Sequence, residues 1–327
     1  MRIATQAGMA ILFLAASTFG GDTLPAQGVE YRVVPHWAEG DTFQFEVSKT
    51  RSTVTPDAGS AVEKVSFCLV SRVVKADNNG YLLESRIEDF TVIEPKGNAG
   101  TAKELAAKFG RETPARFRVS NAGDVGGRIE NWNEVMQGAI AVFDQRIASQ
   151  PQEIRQRRHD AFVETLKDRS LQAFRHAEVL NDHTSWLGLN GVAYKEHAVP
   201  MAQSMPLPLG DNARAPAHVT REVVSQDEAQ VVLRDSLETD PDAGKVVAEL
   251  ARRFDQANGR SPDIPKGAEL MLSSKTVSEG TIDKKRGIAI AARFVMSIEV
   301  DYGKGMKTQK QVVDVREKRV PASRPSN

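Results

Sequence analysis

Cysteine is nearly absent: among 327 residues there is one, Cys68. A single thiol forms no internal disulfide, so the fold has no covalent staple and must stand on its core. Cys68 lies between Phe67 and Leu69 in an apolar run with no adjoining histidine or basic residue, which predicts a buried, inert thiol. Net charge is missing as well, with 43 Lys plus Arg against 43 Asp plus Glu. A balanced surface builds no long-range field, so neither nucleic acid nor an acidic lipid sheet is an expected partner. Aromatics make up only 6%, which argues further against base-stacking platforms.

Chemical signatures are equally sparse. The six histidines (His36, His159, His176, His183, His197 and His218) include no H-E-x-x-H pair or other tight ligand spacing. No metal site and no cofactor are expected. A serine nucleophile lacks its usual setting, since Ser71-Arg72-Val73-Val74 places valine where an S-x-x-K pair needs lysine. The stretch 123–127 (GDVGG) lacks the lysine and spacing of a phosphate-binding loop. No catalytic residue is assigned.

One long apolar run is present, and it stands at the start. Met1-Arg2 supplies a positive charge, residues 7–16 read AGMAILFLAA, and Ser17, Thr18, Gly20 and Gly21 follow. That order is the one found in secretory signals, and ten apolar residues are too few to span a bilayer. The expectation is a signal peptide over 1–27, cleaved near 20–27, and a mature chain in the periplasm or outside the cell with no membrane span.

The remaining chain, 40% hydrophobic overall, has ample material for a core. Thr42, Phe43, Phe45 and Val47 begin a strand-like pattern, followed by segments 65–74 and 81–92 flanking the hairpin turn Asp77-Asn78-Asn79-Gly80. Thr101 and Glu104 have capping-box spacing for a short helix ending at Gly110. Apolar residues at three- and four-residue spacing then predict a helical hairpin over about 131–178. The segment Arg155 to His159 is locally basic, but Glu153, Asp160 and Glu164 interrupt it, so a solvated helix face is expected. Strands resume at 192–198, 218–225 and 229–237, a helix fits 240–258, and strands follow at 268–277, 287–300 and 308–315. Residues 321–327 read as a disordered tail.

These segments predict an α+β protein, mainly antiparallel β-sheet in a curved sheet or half-barrel, with a helical hairpin and a smaller helix packed on it. One β-rich domain over 28–320 is expected. Val74 to Leu83 and Val224 to Leu233 look alike at a constant offset, which leaves open two related halves or two merely similar hairpins.

The opening His36-Trp37-Ala38-Glu39-Gly40-Asp41, the hairpin at 77–83 and the stretch 117–125 resemble segments of uncharacterised exported bacterial β-meander proteins. In outline the chain also looks like the periplasmic lipoprotein-carrier fold, a half-open barrel. That resemblance implies a curved sheet with helices on it, and no binding residue is carried over from it.

The segment 199–216 (VPMAQSMPLPLGDNARAP) sets Met201, Met205, Leu207 and Leu209 among prolines. Proline stiffens such a segment and methionine packs adaptably, so it reads either as cover for a sheet edge or as a lip over an apolar cavity. With Trp186 and Leu187 these residues form the candidate contact set for an apolar small molecule or lipid, or for an envelope protein. The expected function is non-enzymatic binding or a structural role in the cell envelope. A hydrolase with an unrecognised site is the alternative.

Overall fold

The computed structural model describes residues 30–56, 59–94, 113–167, 179–206, 214–257, 270–301 and 305–318. The expected signal peptide, the helix at 101–110, the end of the hairpin at 168–178 and the tail lie outside the described residues.

The protein is α+β and mainly antiparallel sheet, as its alternating segments predict, and the sheet is not closed. Two meanders make up most of it. In the first, β2 (Thr42–Thr55), β3 (Gly59–Asp77), β4 (Gly80–Glu94), β5 (Ala115–Val119) and β6 (Val125–Ile129) pair in chain order. In the second, β9 (Arg214–Gln226), β10 (Gln230–Thr239), β11 (Met271–Asp283), β12 (Ile288–Asp301) and β13 (Lys307–Glu317) do the same. Pairing of β13 with β2 fuses them into one 13-stranded sheet. Three short strands finish the far side: β1 (Glu30–Arg32) pairs with β7 (Ala193–Lys195), while β8 (Met201–Pro206) runs along β9.

The turns follow local chemistry. Asp77 accepts a hydrogen bond from the Asn79 amide and Asp227 from the amides of Ala229 and Gln230, so both similar hairpins are closed by an aspartate. They hold different places, the second hairpin of one meander and the first of the other. In the β11–β12 hairpin, Gly287 has φ +65 and a side chain there would strike the Val34 carbonyl at 2.0 Å, so glycine is required.

Alternation gives the sheet two unlike faces. Phe43, Phe45, Val47, Phe67, Leu69, Leu83 and Phe117 are buried on the packed face, while Glu84, Arg86, Glu88 and Arg116 form an exposed ladder on the other. Two helices form a hairpin over the packed face: α1 (Trp132–Ile147) seats Trp132 and Val135 in the core, and α2 (Gln152–Lys167) stacks Phe162 on Phe143 at 4.3 Å. The basic stretch of α2 is largely solvated, as expected. The smaller helix, α3 (Ala243–Ala257), buries Val247 and Ala248 against Ala215, Ala217, Leu272 and Ile298 in a second apolar cluster.

The main cluster owes its centre to an irregular segment. Residues 179–195 make a helical turn, a 3-10 turn at Ser185–Leu187 and then β7. Trp186, Leu187 and Tyr194 have no exposed surface. Trp186 stacks on Phe45 at 4.8 Å and meets Trp37 at 5.5 Å.

Candidate functional site

The described members of the contact set expected from sequence do not come together on one surface. Trp186 and Leu187 are wholly buried in the main cluster, where Phe43, Phe45 and Trp37 enclose the indole ring. Met205 is buried in the second cluster instead, and Met201 is half-buried. Both belong to β8, whose backbone pairs with β9 from Met201↔Val219 to Pro206↔Arg214. Residues 201–206 therefore cover the edge of β9, the first of the two readings that the composition of the segment allowed. Leu207 and Leu209 lie outside the described residues.

Nor do the histidines converge. His183 is buried on the packed face, with Nδ1 3.2 Å from the Ser85 hydroxyl, which in turn lies 3.0 Å from that of Ser71. This is a serine–histidine contact, but Ser71 and Ser85 have no exposed surface and His183 has 3%, so no substrate reaches it. His218 sits on the opposite face against Asp240, and His197 is exposed beyond β7. The geometry gives the hydrolase alternative no support.

Accessible space lies on the charged face. An open trough of 770 Å³ crosses seven strands, from Val232 on β10 to Asp89 on β4. Register explains its floor. Val232, Thr281, Ala291, Arg316, Glu46 and Cys68 are consecutive cross-strand neighbours, so the small Thr281 and Ala291 stand beside the charged pair Arg316 and Glu46 along one row. Register shifts fall at the same level between Val232 and Leu233, Thr281 and Ile282, and Ser66 and Cys68. Such bulges bend strands and raise twist, and three in line crease the sheet along this row. Asp89, at φ 51, marks the third bulge.

The walls are charged and nearly neutral in sum. The next row alternates Glu222, Arg234, Glu279, Arg293 and Asp314 across β9 to β13, with Arg234 2.7 Å from both Glu222 and Glu279 and Arg293 3.6 Å from Asp314. These partners are mostly exposed, so the ladder fixes side-chain positions more than it stabilises the fold. In the trough itself, Glu46, Asp89, Arg316 and Lys318 form no ion pair among the described residues. Cys68 lines the floor, and burial, reinforced by Glu88, Asp89 and Glu46, raises its pKa against the pull of Lys318. The thiol is buried, as the sequence predicted, and its raised pKa favours the protonated form. Among the described residues no cluster of three or more His, Cys, Asp or Glu side chains is arranged to hold a metal, and no helix is long and apolar enough to cross a membrane.

Composition and periodicity gave no warning of the trough. Ser48, Ser66, Thr281 and Ala291 are unremarkable residues, and only the pairing register places them side by side.

No protein-family model matches the chain, and no curated protein matches it in sequence. Among solved structures it is similar to lipovitellin, described for its lipid–protein interactions, at 11% identity and a TM-score of 0.42, over 89% of this chain and 26% of that one. It is also similar to an outer membrane channel from Pseudomonas putida F1 at 7% identity and a TM-score of 0.18, over 91% of this chain and 100% of that one. The chain thus spans about a quarter of the lipovitellin chain. Both scores lie below 0.5, and the likeness is one of mostly β outline.

Proposed function

We propose that this chain is an exported, non-catalytic binding protein that holds a small, polar, charge-bearing molecule in the trough of its charged face. The trough carries the reading. Its 770 Å³ is the size of a small-molecule site, Ser48, Ser66, Thr281 and Ala291 leave room on its floor, and opposite charges without ion-pair partners among the described residues line it. An apolar ligand is less well served, because the packed face is filled by the protein's own Trp186, Leu187 and Leu189. Export rests on the amino-terminal apolar run, and the mass of the protein recovered from the cell envelope, shortened by some 20–27 residues, is its test.

Substituting Ala291→Trp places an indole over the floor between Thr281 and Arg316 on an already solvated face. Envelope-extract fractions that raise the melting temperature of the wild type by several degrees should leave this variant unmoved. A fraction that shifts both equally places binding elsewhere. Edge docking is the second reading, favoured by exposed Gly126, Gly127 and Arg128 on β6, which pairs with β5 alone among the described strands. A stable protein complex lost on Gly127→Pro would select it.

A further inference from the structure

Three buried polar side chains, Ser71, Ser85 and His183, meet where residues 179–195 pack on the first meander. The helical turn at 179–183 presents two consecutive polar groups to the sheet. Asp182 is ion-paired with Lys49 of β2, and His183 Nδ1 lies 3.2 Å from Ser85 Oγ of β4. Ser85 is 3.0 Å from Ser71 of β3, and both hydroxyls are fully enclosed. Beyond them the segment sets Trp186 on Phe45, Gly188 against Phe294 and Leu189 over Gly280, and its one other buried polar side chain among the described residues, Asn190, donates to the Gly287 carbonyl at 3.2 Å in the second meander. The polar contacts therefore position a segment that has little regular structure of its own.

We infer that residues 179–195 form a strap that acid releases from the packed face, with His183 on Ser85 and Asp182 on Lys49 as its two latches. The charges around the imidazole decide the direction. From β2 it faces the Lys49 ammonium, which repels a second cation. On β4 it meets the Ser85 hydroxyl, which is backed by that of Ser71 on β3. On its own turn, Asp182 is engaged by Lys49. The row of β12 and β13 beneath the 3-10 turn offers Phe294 and Val313 and no titratable group. Burial, and then Lys49, lower the His183 pKa to about 4.

The seated strap thus binds no proton on His183 between pH 6.5 and about 4, whereas the released strap does. Seating is fully favoured above the ordinary histidine range and weakens tenfold for each pH unit below it. Between pH 6.5 and 4 the released fraction should rise on the order of a hundredfold. Release uncovers Phe45, Phe294 and Val313, so acid converts a self-filled sheet face into an open apolar one.

Hydrogen exchange followed by mass spectrometry, corrected for the intrinsic pH dependence of exchange, reads this directly. Peptides over 179–195 should lose protection ahead of those from β2 to β4 as pH falls from 7 to 4.5. His183→Gln, which keeps a neutral hydrogen-bonding group, should flatten that loss. Equal loss in the variant, or no loss in the wild type, overturns the proposal. Should the variant not fold, titration of the His183 ring resonance in the wild type decides: a midpoint below 5 supports the latch, and one near 6.5 overturns it.

Discussion

Trp186→Ala is expected to cost about 3–5 kcal/mol, a large share of the roughly 5–15 kcal/mol that holds a typical domain folded. The indole has no exposed surface, and its neighbours Phe45, Phe43 and Trp37 come from β2 and from the stretch ahead of it, so removal empties a space that no single element can refill. Trp186→Phe should cost much less. It keeps most of the ring contact and discards an indole N–H that has no hydrogen-bond partner among the described residues, which offsets part of the lost area. Urea midpoints separate the three proteins. Were Ala and wild type to unfold at the same urea concentration, residues 179–195 would not be core at all.

The second large effect concerns Arg221 and Asp235, which face each other across β9 and β10 on the packed face. Arg221 Nε stands 3.6 Å from Asp235 Oδ2, and Arg221 Nε and Asp235 Oδ1 are enclosed without hydrogen-bond partners among the described residues. An ion pair of this kind gains little over apolar packing, but breaking it leaves an unpaired charge inside. Arg221→Met alone should therefore cost about 3–5 kcal/mol at neutral pH, and the double change with Asp235→Leu should recover most of it. The pH dependence has a definite sign. Burial raises the Asp235 pKa while Arg221 lowers it, and burial is the larger cause. The folded state therefore keeps the carboxyl proton longer than the unfolded chain does. Stability falls as pH climbs from the ordinary carboxylate value through the raised one. Without Arg221 the opposing pull disappears, so the single variant should be weaker at pH 7 than at pH 4. Equal losses at both pH values would mean that the pair is solvated.

Regular strands were readable because residues such as Phe43, Phe45 and Val47 alternate with polar ones, and because Asp77 and Gly287 announce their turns. Helix α1 was readable from its three- and four-residue apolar spacing. Trp186 and Leu187 were misplaced for the converse reason. They sit among Thr184, Ser185 and Gly188, where no periodicity exists to say which way a side chain points, and only tertiary packing turns them inward. Met201 and Met205 could be read as edge cover or as a lip because prolines flank them, and the pairing of β8 with β9, which composition cannot show, selects the edge strand. The trough was invisible for a third reason. It depends on bulges in three separate strand pairs falling at one level, a property of register that no local window contains.

Native mass spectrometry of the protein purified from its own cells bears most directly on the binding claim. The wild type should carry a non-covalent adduct the size of a small molecule. Ala291→Trp should lose it, while His183→Gln, altered on the opposite face, should keep it. An adduct that survives Ala291→Trp, or a wild-type protein that always flies bare, would contradict the trough as a ligand site.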